Sequence, residues 1–349
     1  MKSCNMGGQA VIEGVMMRYR NNVAVSVRKP DGSIKVGFMK YESATSKHPA
    51  LKKPLLRGVV SFVDSLVLGI KTLMYSANIF EEEAEEKEKT EEKKKQVVSE
   101  SMEKKETSKG EAALMTGTVM FSLVVSVALF VLLPYFVSSL ITKVTDSEVL
   151  LAIVEGILKV AIFIGYLAAI SLMPDIKRTF MYHGAEHKCI NCIESGKELN
   201  VDNVMASSKE HRRCGTSFIF FVLLISIIFC MFIQVKTWWL RLLIRIILIP
   251  VIAGVSYEFI QWAGNTDAKI AYYLSKPGLW MQGLTTKEPD REMAAVAIAS
   301  VNHVFNWKKY LEDMKKNPSM DTRKASCSKT AGSCSADPYD VTVYPMQEN

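Results

Sequence analysis

Residues 112–142, "AALMTGTVMFSLVVSVALFVLLPYFVSSLIT", contain no charged side chain over 31 residues. A helix needs only about 20 apolar residues to cross the hydrocarbon part of a bilayer, so this run decides the fold class. A second uncharged run, residues 215–235, is 21 residues long. Yet 23% of the chain is charged, so apolar and charged residues are segregated along it. Segregation of that kind argues against a soluble globule and for a membrane protein.

Working outward, four spans are expected, at about 113–140, 149–173, 215–235 and 239–263. The second contains Glu155 and Lys159, four apart and able to neutralise one another. The fourth carries Arg241 and Arg245 at one end, where they can snorkel, and Glu258 near the other, where it needs a partner. The 174–214 loop holds seven Lys and Arg, against only Lys143 and Lys236 in the connections on the opposite side. The positive-inside bias therefore puts that loop and both termini in the cytoplasm of a multi-pass protein of the cell membrane.

The fold class expected is mainly α: a multi-pass membrane helical bundle of about four spans with a small N-terminal β-hairpin element. Residues 1–54 read as β-rich and cytoplasmic, with alternating apolar runs on either side of Pro30-Asp31-Gly32. In 55–80, Arg57, Asp64 and Lys71 recur every seven residues and share one helix face. A span there would bury Asp64 at a cost of about 3 kcal/mol, so an amphipathic helix lying at the membrane surface, or packed on the spans, is expected. A charged linker follows at 81–111, with twelve Glu and eight Lys, which leaves the rest of the chain at a net +11. Spans one and two occupy 112–173, a metal-site loop 174–214, spans three and four 215–264, and a cytoplasmic region 265–317. Residues 318–349 are Ser/Thr/Gly-rich and read as a disordered tail. The first twenty residues lack the apolar core of a secretory signal. Seven scattered cysteines fit a reducing compartment better than a disulfide framework. The basic excess flanks the spans without aromatic interleaving, so nucleic acid is not expected as a partner. The lipid bilayer is, together with a protein partner or peptide substrate.

Chemistry concentrates in "MYHGAEHKCINCIES", residues 181–195. As a helix, His183 and His187 lie four apart on one face with Glu186 beside them. That is the H-x-x-E-H spacing of inverted zincins, in which two His hold zinc and Glu activates water. Phe180, His183, His187, Ile190 and Glu194 form a 3–4–3–4 stripe, and Ser195-Gly196 supplies a stop. Glu194 lies seven residues past His187, roughly 10 Å along the axis, too far to share one ion. His211 and Cys214 in "HRRCGTSF" offer further imidazole and thiolate ligands. Glu258 could face the same place.

Three other chemistries stay open. Cys189-x-x-Cys192 with His211-x-x-Cys214 has the count of a structural zinc knuckle. Cys214 at a helix start, paired with His211, could be a nucleophile. An i,i+4 His pair also occurs on helix surfaces without any ion.

Together "GGQAVIEGVMMR", "YHGAEHK", "HRRCGTSF", "YEFI" and "PGLWMQGLTTKEPD" resemble the YqhQ-like family of multi-pass bacterial membrane proteins, described as predicted metal-dependent enzymes. The resemblance covers roughly residues 5–305. It implies a divalent ion, zinc being the metal these donors suit, on His183, His187, His211 and Cys214, with Glu186 as catalytic base. It does not require Cys189 or Cys192, and it implies that Glu13, Glu194, Glu258 and Thr285–Pro289 matter. The function expected is a membrane-bound, metal-dependent hydrolase; the alternative is a non-enzymatic scaffold or assembly factor with a structural zinc site.

Overall fold

The computed structural model describes residues 4–47, 51, 53–93, 117–118, 120–122, 124–141, 147–232, 237–266, 268–316 and 341–346. They fall into two compact units, one built from Met1–Glu81, Leu167–Val222 and Ile247–Asn349, the other from Glu82–Tyr166 and Leu223–Ile246.

The first unit holds an antiparallel meander of β1 (Met6–Val11), β2 (Gly14–Tyr19), β3 (Asn22–Arg28) and β4 (Ile34–Lys40). Gly14 stands opposite Val27, and Asn22 opposite Lys40. The N-terminal element is thus four strands, where the sequence reading expected one hairpin. The added turn lies between β1 and β2, where Glu13 sits at φ 48°, a left-handed conformation that a single sequence does not advertise for glutamate. Part of the expected disordered tail is corrected too. Residues Val341–Pro345 form β5, parallel to β4 with Val341 opposite Ile34. Their Val-Thr-Val-Tyr alternation suits a sheet edge, although the Ser/Thr/Gly-rich stretch before it dominates the composition.

Both faces of the sheet are buried, because its apolar residues occupy both parities. Val15, Met17, Ala24 and Val36 join the core made with the Pro174–Glu194 and Arg291–Val304 helices. Val11, Met16, Val23, Val25 and Val27 pack on Leu68 and Ile79 of the Leu56–Lys93 helix. Ser300 stitches the first face together. Its hydroxyl donates to the Val15 carbonyl (2.7 Å), accepts the Ser26 N–H (3.0 Å) and meets the Ser26 hydroxyl (2.7 Å).

Among the described residues, four helices are long and apolar enough to cross a membrane: Leu56–Phe80, Val149–Ile170, Gly215–Phe232 and Ile246–Ala263. Three coincide with expected spans. The expected 113–140 span lies partly outside the described residues. Its described part contains a π-helical turn at Ala128–Leu132 leading into the Leu133–Ile141 helix. Pro134 there lacks the N–H that an unbroken ladder would use.

Leu56–Phe80 carries its polar groups inward. Asp64 accepts the Ala44 N–H (3.2 Å) and bonds the Ser43 and Tyr41 hydroxyls. The Ile12 N–H donates to the Ser76 hydroxyl (3.2 Å). On the other side Val63, Leu66, Val67, Ile70, Leu73 and Met74 are exposed. At its start, Arg57 forms a two-pronged pair with Glu258 (2.7 and 2.5 Å), supplying the partner that Glu258 lacked in the sequence. Within the other unit, Lys159 meets Glu155 at 2.7 Å, the self-neutralising pair expected from their spacing.

Ser300→Ala would leave the buried Ser26 N–H and hydroxyl without this partner, at a cost of about 1–3 kcal/mol. Thermal unfolding of the detergent-solubilised protein should fall by several degrees, and an unchanged midpoint would contradict the stitching role.

Candidate metal centre

The HGAEH segment lies mid-way along the Pro174–Glu194 helix, with Tyr182 and all residues from Gly184 to Glu194 buried. Proline at the first turn starts that helix and Gly196, at φ 76°, follows its end. One turn apart, the His183 and His187 rings lie 4.4 Å between centroids.

Each imidazole is held by a backbone carbonyl. His183 Nδ1 donates to the Thr285 carbonyl (2.9 Å), and His187 Nδ1 to the Lys209 carbonyl (2.7 Å). A carbonyl only accepts, so both Nδ1 atoms carry protons and both Nε2 atoms turn the other way. Cys214 meets them there: its sulfur lies 3.3 Å from His183 Nε2. His183, His187 and Cys214 offer ligand atoms that all lie within 4.8 Å of one another.

Electrostatics fits that grouping. Burial would push the Cys214 thiol up, yet the adjacent His183 and His187 imidazoles outweigh it and hold the thiol well below its usual range. Burial would likewise lower His183, but Cys214 and Glu186 together raise it to about 9. His187 is raised against its burial by the same two groups. The cluster therefore concentrates negative charge at sulfur and draws positive charge to it. A divalent ion would bring that charge in place of the two Nε2 protons.

The two segments that return to the helix are clamped. Lys188 Nζ donates to the Met205 (2.8 Å) and Ser207 (2.9 Å) carbonyls and pairs with Glu288 (2.9 Å). Asn191 donates to the Ser208 (2.7 Å) and Glu210 (2.8 Å) carbonyls. With His187, three neighbouring side chains on one helix hold the 205–210 turn and so set where Cys214 falls. Across the helix, the Lys287 N–H donates to the Phe180 carbonyl (2.9 Å). There the backbone passes so close that a Cβ on Gly184 would collide with the Lys287 carbonyl. Thr285–Pro289 is thus a strap over the helix. The Thr285 hydroxyl is buried without a hydrogen-bond partner among the described residues.

Other expected site residues lie differently. His211 Nε2 faces Glu194 Oε2 (3.7 Å) and Arg213 (3.4 Å), and its ring centroid is 5.6 Å from that of His187. Its backbone is gripped by Gln282, which accepts the His211 N–H (2.9 Å) and donates to its carbonyl (2.7 Å). Glu194 also pairs with Arg213 and accepts the Cys4 N–H (2.8 Å). Burial opposes its charge, but His211 and Arg213 prevail and lower its pKa to about 2. Glu186 is buried under β1, where Gly8 leaves room for its side chain, and its Oε2 lies 3.5 Å from His187 Nε2. Cys189 and Cys192 are in the apolar core, the latter donating to the Glu198 carbonyl (3.4 Å). Cys189 packs among apolar side chains, and the ligand atoms grouped among the described residues are those of His183, His187 and Cys214. Glu258 belongs to Arg57, and Glu13 pairs with Arg178 and accepts from the Tyr182 hydroxyl (3.1 Å).

Sequence reasoning missed the carbonyl acceptors and the strap, because backbone groups carry no residue signature. Asn191 was findable, as an uncharged polar residue one turn beyond His187.

A sheet-backed helix whose two histidines meet a cysteine at the foot of a long apolar helix defines a class: a helical protein with a possible His/His/Cys metal site. The chain belongs to the family described as protein of unknown function (DUF1385), whose profile matches residues 53–307. It is 33% identical over 300 residues to the "Uncharacterized protein YqhQ" of Bacillus subtilis (strain 168), covering 86% of this chain and 92% of that protein. No solved structure matches.

Alanine is a better helix former than glycine by about 1 kcal/mol, yet Gly184→Ala should destabilise because the strap cannot yield. The measurement is the yield of monodisperse protein; a gain in yield would contradict the close crossing.

Proposed function

We propose that this is a multi-pass protein of the cell membrane, with both termini cytoplasmic, and that His183, His187 and Cys214 bind one divalent ion, zinc, for metal-assisted hydrolysis. The observation that carries this reading is the pair of Nδ1–carbonyl bonds. Protein-bound zinc is commonly held by imidazoles whose second nitrogen donates to a carbonyl or carboxylate, which fixes tautomer and aim. Here both histidines are so held, with the Cys214 sulfur 3.3 Å from His183 Nε2.

Three ligands leave a fourth position, the arrangement of catalytic rather than structural zinc. His211, turned toward Glu194 and Arg213, stands in the second layer and tunes charge instead of closing the shell. His183, His187 and Cys214 would hold the zinc ion, which would supply Lewis acidity and lower the pKa of water there. Glu186, 3.5 Å from His187 Nε2, is the carboxylate placed to take a proton beside such a site. Cys214 directly precedes the Gly215–Phe232 helix, so the site lies at the mouth of a span, on the side where the basic 174–214 loop places the cytoplasm.

The rival, a scaffold with structural zinc, is favoured by burial: Cys214 is 5% and His187 1% exposed. Purified protein analysed for metals separates the readings. One zinc per chain is expected, lost on His187→Ala or Cys214→Ala and kept on His211→Ala and Glu186→Gln. Glu186→Gln should also abolish zinc-dependent turnover across a panel of ester and amide substrates. Metal-free wild-type protein would overturn the site, and turnover undiminished in Glu186→Gln would overturn the hydrolase.

A further inference from the structure

The helix Lys269–Thr285 has a buried face of small and polar residues and an exposed face rich in apolar ones. Ala271, Ser275, Gly278, Gln282 and Thr285 form a buried 4–3–4–3 stripe, and this is the face that serves the cluster. Gln282 holds both sides of the His211 backbone and donates to the Ser217 hydroxyl (2.9 Å), while Thr285 holds His183. Ile270, Tyr273, Leu274 and Trp280 lie outside that stripe and are 63%, 62%, 45% and 64% exposed. A soluble helix would place charge on its outer face. Here the only charges on the helix are Lys269, Lys276 and no acid at all. Lys276 lies over the rings of Tyr272 (5.4 Å) and Tyr273 (4.8 Å), and Arg212 over Tyr272 (5.4 Å).

Two tethers fix where this helix runs. It begins four residues after the Trp238–Asn265 helix ends, just past the candidate span Ile246–Ala263. Further along, Gly278 lies against Ser217 and Phe221, so closely that a Cβ would touch both, in the opening turns of the candidate span Gly215–Phe232. The helix is therefore strapped across the ends of two apolar helices, at the level where the proposed spans leave the bilayer. Tyrosine and tryptophan favour that level, and Lys and Arg there meet anionic headgroups.

We infer that Lys269–Thr285 is a membrane-surface helix that seats Ile270, Tyr273, Leu274 and Trp280 at the acyl boundary and binds anionic phospholipid headgroups through Lys269, Lys276 and Arg212. This rests on the reading that the Ile246–Ala263 and Gly215–Phe232 helices cross the membrane. One helix then presents its outer face to lipid and its inner face to the metal cluster, so the site sits directly behind the headgroup layer.

Full-length protein in nanodiscs with brominated phospholipids tests it. The wild-type minus Trp280→Phe difference spectrum should lose at least half its intensity when brominated lipid replaces ordinary lipid. Trp262, exposed within the Ile246–Ala263 span, is the control through Trp262→Phe. In parallel, native mass spectrometry should show phosphatidylglycerol retained over phosphatidylcholine, with several-fold less retained in a Lys269→Gln/Lys276→Gln variant. Quenching of Trp262 without Trp280 would overturn the helix assignment alone, and no quenching of Trp262 would overturn the spans beneath it. Equal retention of both lipids, or a Trp280 shielded in a dimer by a second chain, would overturn the anionic-lipid surface.

Discussion

Two hydrogen bonds, from the His183 and His187 Nδ1 atoms to the Thr285 and Lys209 carbonyls, organise this protein around one helix. Each does two jobs at once. It keeps the Nδ1 proton on a carbonyl, turning Nε2 the other way, and it pins a distant stretch of backbone against the helix. The 205–210 turn on one side and the 285–289 strap on the other are ordered by the same imidazoles that would bind an ion. Fold and site are thus not separable here, since a change at His187 loosens the turn that delivers Cys214 and a change at His183 loosens the strap.

The surrounding charges are arranged in layers. Cys214, His183 and His187 form an inner group in which sulfur charge is balanced by imidazole protons. Outside it, His211, Glu194 and Arg213 form a second ionic group linked to the N-terminus through the Cys4 N–H. Buried charges persist only when paired, and each group here is closed in that sense. The inner one differs in gathering three side chains that could hold a metal ion. Glu186, wedged below Gly8 of β1, lies at the boundary, and the sheet therefore acts as a lid over the helix face carrying the carboxylate.

Much of this was legible in the residues. The i,i+4 histidines, the Glu155–Lys159 pair and three long apolar helices follow from spacing and composition alone. Other features depend on contacts between residues far apart. His211 was grouped with His183 and His187 by residue type, but its ring direction is set by Arg213 and by Glu194, which the spacing had set aside only as a ligand. Glu258 finds Arg57 some 200 positions away. Gly184, read as part of a motif, is required by a backbone crossing that no local pattern encodes. The Leu56–Phe80 helix shows why periodicity alone stays ambiguous: it is apolar enough to span, yet Asp64 and Ser76 are bonded to the β-rich segment rather than left facing lipid.

The account turns on which atoms surround a bound ion, and X-ray absorption at the zinc edge of the purified, zinc-loaded protein measures that most directly. The geometry predicts two imidazole nitrogens at about 2.0 Å, one sulfur at about 2.3 Å and one further light atom. A shell with two or more sulfurs, or with imidazoles and no sulfur, would contradict it.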